Sequence, residues 1–353
     1  MTVLKLGSLF DGIGVFPLAA VHCGMEPVWA SEIEARPISI TRRHFPDMLH
    51  LGDITKINGA EVPPVDVITF GSPCQDLSQI GTRNGFAGKK SSLFYQAMRI
   101  IEEMRYATNG RYPAFTVWEN VTGAFSSNDR LDFAAMLRAF TGAEVSVPPR
   151  GWAHAGMVRG GRADTAWRLL DAQYWGEPAL VQRRKRVFVV ADFAGQRAGE
   201  VLFKPRTVLP FSTISGPGGL SATQRGGVPV AQTGRQVPIV RPFSLRRMRT
   251  MAQVGDQKGF CASFGRGGEP FPTLLASVTA PFSFWYEGEE QDGFLRVLTP
   301  LECERLMGLP ENWTKYGCKN EEISDHARYR ALGNSIALPC AEYVMAGIAE
   351  VMN

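Results

Sequence analysis

The chain has 353 residues, of which 44% are hydrophobic and 20% charged, a balance that suits globular folding and excludes a disordered or fibrous chain. Its length predicts about two domains. The 38 Lys and Arg against 34 Asp and Glu leave a formal charge of +4, which permits a polyanionic partner without requiring one.

The six cysteines, Cys23, Cys74, Cys261, Cys303, Cys318 and Cys340, are dispersed with no two-residue gap between any pair. That spacing argues against a zinc knuckle, a chain of this size needs no disulfide framework, and no metal is expected. The N-terminus enters a strand-like pattern directly, with no secretory signal and no apolar run long enough to cross a bilayer. The expectation is a cytoplasmic protein without a membrane partner, whose thiols stay reduced.

Residues 3–10 read as a first strand, followed by Asp11-Gly12-Ile13-Gly14-Val15 and a helical run to Cys23. A strand, a glycine turn and a helix can bring backbone close to a nucleotide-like ligand. The turn lacks both the full GxGxxG pattern and a phosphate-loop lysine, so it favours neither a dinucleotide nor ATP. A second strand at 27–32 ends on Glu32, suited to ribose hydroxyls, and a helix at 33–45 leads to another acid, Asp53.

The central stretch is 67–78. Val67-Ile68-Thr69-Phe70 is an apolar, β-branched run that stops at Gly71-Ser72-Pro73 and delivers Cys74 at its carboxyl end. Open α/β sheets place their chemistry there. The polar, basic loop 81–92 could close over a substrate, and a helix is predicted from 93 to about 105. A strand at 114–118 then ends in Glu119-Asn120-Val121, so an acid could face Cys74 from a neighbouring strand.

A helix at 132–140, a strand at 143–147 and a loop at 151–161 follow. Residues 167–172 continue the sheet pattern, and Gln182-Arg183-Arg184-Lys185-Arg186 precedes a strand at 187–191, its cations reading as a fixed anion-binding edge. Residues 210–238 are rich in Gly, Pro, Ser, Thr and Gln, as a linker or mobile loop would be. Arg241, Arg246, Arg247, Arg249, Lys258 and Arg266 then interleave with aromatic residues up to Trp285, suiting a small strand-rich module that contacts phosphates and base edges. Thr299 and Pro300 predict a capped helix start, and an apolar helix is expected from about 336 to 351.

Pro73-Cys74-Gln75, Glu119-Asn120-Val121 and Gln182 to Arg186, in that order with the first glycine turn, the 296–310 segment and Gly333-Asn334-Ser335, closely resemble the C5-cytosine DNA methyltransferase family of bacteria and their phages. The resemblance implies an α/β, Rossmann-like S-adenosylmethionine-dependent fold with a smaller, strand-rich target-recognition domain. The divisions it implies are 1–191 for catalysis and cofactor, 192–295 for target recognition, and 296–353 returning to the catalytic domain. It also implies that Phe10, Gly12, Gly14, Glu32, Asp53, Pro73, Asn334 and Ser335 hold S-adenosylmethionine, released as S-adenosylhomocysteine.

Cys74 would add to C6 of a cytosine flipped out of duplex DNA lying between the domains, activating C5 toward the methyl group. Glu119 would engage N3, Arg184 would orient O2 or the carboxyl group, and Arg186 would brace the Cys74 loop or a substrate anion. Gln79, Asn120, Gln182, Arg246, Arg247 and Arg249 are the implied substrate contacts. A monomer is expected, with a cognate restriction enzyme as a functional companion. A transfer-RNA cytosine methyltransferase and a noncatalytic DNA binder stay open as alternatives. Asp11 and Val15 replace the family's common alanine and third glycine, and Ala179-Leu180-Val181 stands as an insertion before Gln182.

Overall fold

The computed structural model describes residues 3–72, 93–204, 239–242, 271, 273–274, 282–286 and 293–353. Pro73, Cys74, Gln79, Arg246, Arg247 and Arg249, with the expected lid at 81–92 and the segment 210–238, lie outside the described residues. The chain divides into two compact units, the first comprising Met1–Leu170, Lys185–Arg206 and Ala341–Asn353, the second Asp171–Arg184 and Thr207–Cys340.

The first unit is built on an eight-stranded sheet. Its strands are β1 (Lys5–Leu9), β2 (Glu26–Ser31), β3 (Leu49–His50), β4 (Val67–Phe70), β5 (Phe115–Val121), β6 (Ala155–Arg159), β7 (Asp164–Asp171) and β8 (Lys185–Asp192), in the order β3-β2-β1-β4-β5-β8-β7-β6. Strands β1 to β5 run parallel with their neighbours, whereas β8 runs antiparallel to β5 and β6 antiparallel to β7. All four residues of β4 are buried, which is why that strand reads as a continuous apolar run without alternation. Strand order reverses between β1 and β4, and the crevice beyond the carboxyl ends of strands at such a reversal is where open α/β sheets bind ligands.

Helices α1 (Val15–His22), α2 (Ala35–His44), α3 (Leu93–Ala107), α4 (Leu131–Thr141) and α5 (Ala198–Leu202) alternate with these strands. Trp29, Phe70, Phe94, Trp118, Phe133 and Phe140 belong to one core cluster, with Phe94 and Phe140 meeting edge to face at 5.9 Å. That core fixes the ends of β4 and β5.

Three local expectations need correction. Residues 143–147 form no strand, while β6 occupies part of the expected loop at 151–161. It lies at the sheet edge, where only Gly156 and Val158 are half-buried, so its sequence Ala-Gly-Met-Val-Arg carries a weak strand signal, and Gly156 leaves room for the Trp167 ring from β7. Glu119 and Asn120 lie within β5, paired with Phe188 and Val187, and do not follow the strand.

In the second unit, β9 (Ile239–Pro242), β10 (Phe282–Tyr286) and β11 (Gly293–Val297) form an antiparallel sheet in the order β11-β10-β9. Helices α6 (Pro300–Leu306) and α7 (Asp325–Asn334) belong to the same unit. The buried Glu304 carboxylate joins them, accepting from the Asn312 and Thr314 amides at 2.8 Å each, from the Thr314 hydroxyl and from Arg328 at 3.1 Å. Helix α8 (Leu338–Met352) begins in this unit and from Ala341 belongs to the first. Set against the expected divisions 1–191, 192–295 and 296–353, residues 171–184 and 296–340 cluster with the second unit, and 192–206 and 341–353 with the first. Among the described residues no single helix is long and apolar enough to cross a membrane.

Candidate active site

The turn after β1 has the conformation expected of a ligand cradle. Phe10, Gly12 and Gly14 all have positive φ, at 55°, 59° and 78°. A Cβ placed on Gly12 would meet nothing within 4 Å, so that side of the turn is open to an approaching group, whereas one on Gly14 would meet Phe45 and Thr41 at 3.1 Å. The turn is anchored from below. The Asp11 amide donates to Ser31 O at 3.1 Å, and the Gly14 amide donates to Asp11 O at 3.2 Å.

Glu32, just past β2, grips the same turn. One carboxylate oxygen accepts from the Gly12 amide at 2.9 Å, and the other accepts from Ile33 and Glu34 at 2.7 and 3.0 Å. Asp53 caps a short 3-10 turn through its bonds from the Thr55 amide and hydroxyl, which hold its carboxyl below the usual carboxylate range. These residues fit an adenosyl cofactor: backbone open to close approach, and two acids at neighbouring strand ends. Among the described residues no cluster could hold a metal ion.

The second half of the site lies at the ends of β4 and β5, which run parallel with Phe70 opposite Trp118. Glu119 therefore comes level with Gly71. A Cβ on Gly71 would lie 3.2 Å from Glu119 Oε2, so the glycine is what lets the carboxylate lie against the start of the Cys74 loop. Arg186, across the antiparallel pair on β8, places Nε 2.9 Å from Glu119 Oε1. One carboxylate oxygen thus faces a fixed cation, and the other faces Gly71, three residues before Cys74 in the sequence.

Ser72 is the residue that sequence reasoning missed. Trp118 Nε1 donates to its hydroxyl at 3.1 Å and Asn120 Nδ2 to its carbonyl at 3.0 Å, so β5 holds the base of the Cys74 loop at two points. The only sequence signal was its place in the Gly-Ser-Pro turn.

Three expected contacts make bonds within the protein. Asn120 is buried, with its amide nitrogen on Ser72 O and its oxygen accepting from the Val121 amide. Gln182 is fully buried, donating to Leu306 O at 3.1 Å and accepting from the Leu274 amide at 3.3 Å. Arg184 is 1% exposed and donates to the carbonyls of Leu274 and Gly333 at 2.8 Å each and of Ser335. Its guanidinium is committed to the backbone of the second unit, and Arg186 is the arginine that orients the Glu119 carboxylate. Of the four cations, Arg184 and Arg186 are thus engaged within the protein, whereas Arg183 and Lys185 lie exposed. The three-residue insertion folds into a turn closed by the Leu180 amide on Trp175 O at 2.9 Å, with Leu180 buried. Asn334 and Ser335 end α7 in the second unit, where the Ser335 carbonyl serves Arg184.

A carboxylate braced by an arginine and lying against Gly71, three residues before Cys74 in the sequence, with an adenosyl-type cradle in the same sheet, suits addition of a thiolate to a ring polarised by the acid. The relatives are methyltransferases of more than one named specificity. The chain is similar to a DNA N-6-adenine-methyltransferase of Escherichia phage P1, 24% identical over 98% of this chain and 61% of that protein, so it spans under two thirds of that relative. It is 26% identical to the type II methyltransferase M1.ScrFI of Lactococcus lactis subsp. cremoris, over 99% of this chain and 78% of the relative. The Dnmt2 methyltransferase of S. pombe shares the fold, with a TM-score of 0.60 at 15% identity over the full length of both chains. The family model for C-5 cytosine-specific DNA methylase matches residues 4–205 and 242–350, and the chain belongs to that family.

Proposed function

We propose that this chain transfers a methyl group from S-adenosylmethionine to C5 of a cytosine in duplex DNA. The observation that carries the reading is the placement of Glu119, with one oxygen on Arg186 and the other against Gly71 at the root of the Cys74 loop. Phe10, Gly12, Gly14, Glu32 and Asp53 would hold the cofactor from the first unit, with Pro73, Asn334 and Ser335 as further contacts. S-adenosylmethionine supplies an electrophilic methyl group when bound.

The protein's own part is to make C5 nucleophilic. The Cys74 thiolate forms a bond to C6 while Glu119 gives a proton to N3, so the ring electrons move to C5 and no charge is stranded. After methylation, C5 gives its proton to water, the electron pair of that C–H bond restores the C5–C6 double bond as the C6–S bond breaks and Cys74 leaves as thiolate, and N3 returns its proton to the Glu119 carboxylate. Arg186 holds the Glu119 carboxyl in place throughout. The target base must leave the stack for this to occur, at a cost of a few kcal/mol. Gln79 would occupy the vacated space, and Arg246, Arg247 and Arg249 would contact phosphates or base edges. A cytoplasmic monomer with a cognate restriction enzyme as functional companion suits this reading.

The test is methyl transfer from labelled S-adenosylmethionine to mixed-sequence duplex DNA, with base-resolution mapping of both 5-methylcytosine and N6-methyladenine. Label confined to C5 of cytosine in one short motif, and its loss in Cys74→Ala, is the expected result. Label on adenine that survives Cys74→Ala overturns it, because an exocyclic amine needs no thiol adduct. Transfer to folded RNA in place of duplex DNA would assign the other nucleic acid.

A further inference from the structure

Asp11 lies in the middle of the cofactor turn, between two residues of positive φ, and the mechanism above gives it no role. Its backbone is tied at both ends, by its amide to Ser31 O and by its carbonyl to the Gly14 amide. The residue is half-buried, yet both carboxyl oxygens are closed off from solvent and neither makes a close hydrogen bond, the Ser8 and Thr41 hydroxyls being the polar side chains that act on them. The nearby Thr41 hydroxyl, on α2, is directed to the carbonyls of Gly12 and Pro37. The Ser8 hydroxyl, on β1, is likewise buried without a close hydrogen bond. An unpaired buried carboxylate is costly, so the group is poised between its charged and neutral forms.

Resting on the S-adenosylmethionine reading, we propose that Asp11 distinguishes the cationic methyl donor from its neutral-sulfur product. Its carboxyl gives up a proton when the donor binds and keeps it when the product binds. The two ligands share the same adenine, ribose, amino and carboxyl groups and differ in the methyl group and its sulfonium charge. A buried carboxyl one residue from Gly12 feels that charge through protein instead of water, where electrostatic effects are strongest.

The surroundings set the poise. Burial first, and then the like charge of Glu32 at the end of β2, raise Asp11 to about 7, with Ser8 and Thr41 partly offsetting them. From β3, His50 is held below its ordinary range by burial and by Arg42 of α2, against the pull of Glu32, so at pH 7 it is neutral and does not neutralise the acids. Asp11 is therefore about half protonated at neutral pH. A donor charge that lowers its titration by about one unit would release about 0.4 proton per molecule bound at pH 7. It would also raise the donor-to-product affinity ratio about fivefold between pH 6 and pH 8.

The experiment is calorimetric titration of the full chain, without DNA, with S-adenosylmethionine and separately with S-adenosylhomocysteine. Each titration is run at pH 7 in two buffers of different ionisation enthalpy, and the affinities are repeated at pH 6 and 8. The expected result is about 0.4 more proton released by the donor than by the product, a difference that Asp11→Asn removes together with the pH dependence of the ratio. Equal proton release by both ligands in the unaltered chain overturns the proposal, whatever the variant does. An undiminished difference in Asp11→Asn overturns it as well. If neither ligand binds, the cofactor reading itself fails, which is a distinguishable outcome.

Discussion

Arg184 and Arg186 are two residues apart in a run of cations, and the sequence offers no ground for separating them. Their fates differ because Arg184 precedes β8 and is drawn among the carbonyls of Leu274, Gly333 and Ser335, whereas Arg186 lies opposite Val121 on the paired strand and meets Glu119. The expected effects of substitution differ accordingly. Arg184→Met removes the donor from three carbonyls, those of Leu274 and Gly333 buried and that of Ser335 partly so, and should cost roughly 3–5 kcal/mol of stability, read as a lower melting temperature and denaturant midpoint. Arg186→Gln takes the cation from a mostly buried pair and should cost about 1–3 kcal/mol, while lowering kcat by about 100-fold through a misplaced Glu119. A folded, stable Arg184→Met enzyme with normal melting would refute the structural role, and a normal kcat in Arg186→Gln would refute the orienting one. Glu119 is legible in the sequence because an acid directly after a buried apolar run stands at the end of a sheet where α/β folds place their chemistry. Ser72 is not, because a hydroxyl shows its partners only once Trp118 and Asn120 are in place.

At the scale of elements, legibility follows the strength of the local signal. Strand β4 is buried throughout and ends at Gly-Ser-Pro, so sequence alone locates it. Strand β6 pairs only with β7 at the sheet edge, and nothing in Ala-Gly-Met-Val-Arg announces a strand before the partner is known. Helix α6 lies at the other extreme. Thr299 and Pro300 predict its start, and the structure adds a reciprocal bond: the Glu302 amide donates to the Thr299 hydroxyl at 3.3 Å, and the Thr299 amide donates to Glu302 Oε2 at 2.8 Å. Thr299→Ala removes one half of that box and should cost about 1 kcal/mol. Denaturant unfolding of the variant would show it as a lower midpoint at unchanged slope. Thr299→Ser should recover most of the loss, and failure to do so would assign the effect to the threonine methyl group instead of the cap.

At the scale of the whole molecule, the chain passes between its two units four times, because 171–184 and 207–340 are set into the sequence of the first unit. The domain divisions expected from sequence return the chain to the catalytic domain at 296, and no local pattern reveals that the return comes only at Ala341, within α8. The part from Ala341 onward is core to the first unit, with Val344, Met345 and Ile348 fully buried. It is also tied there by polar contacts: Tyr343 Oη donates to Leu202 O at 2.7 Å, Arg168 donates to the Tyr343 oxygen at 2.9 Å, and Arg197 donates to Val351 O at 3.1 Å. Gly347 permits the approach, since a Cβ there would lie 2.7 Å from the Val201 carbonyl oxygen. Ending the chain after Cys340 should therefore destabilise the cofactor-binding unit although every residue proposed to hold the cofactor is retained. Burying three large apolar side chains contributes roughly 1.5–3 kcal/mol each, a large fraction of the net stability of a domain. Hydrogen exchange gives the sharpest reading: amides of β7 and α5 should lose protection in the truncated chain, and cofactor affinity should fall with them. Full protection of those two elements after truncation would mean that the last segment is dispensable to the first unit, and that the sheet is stable without it.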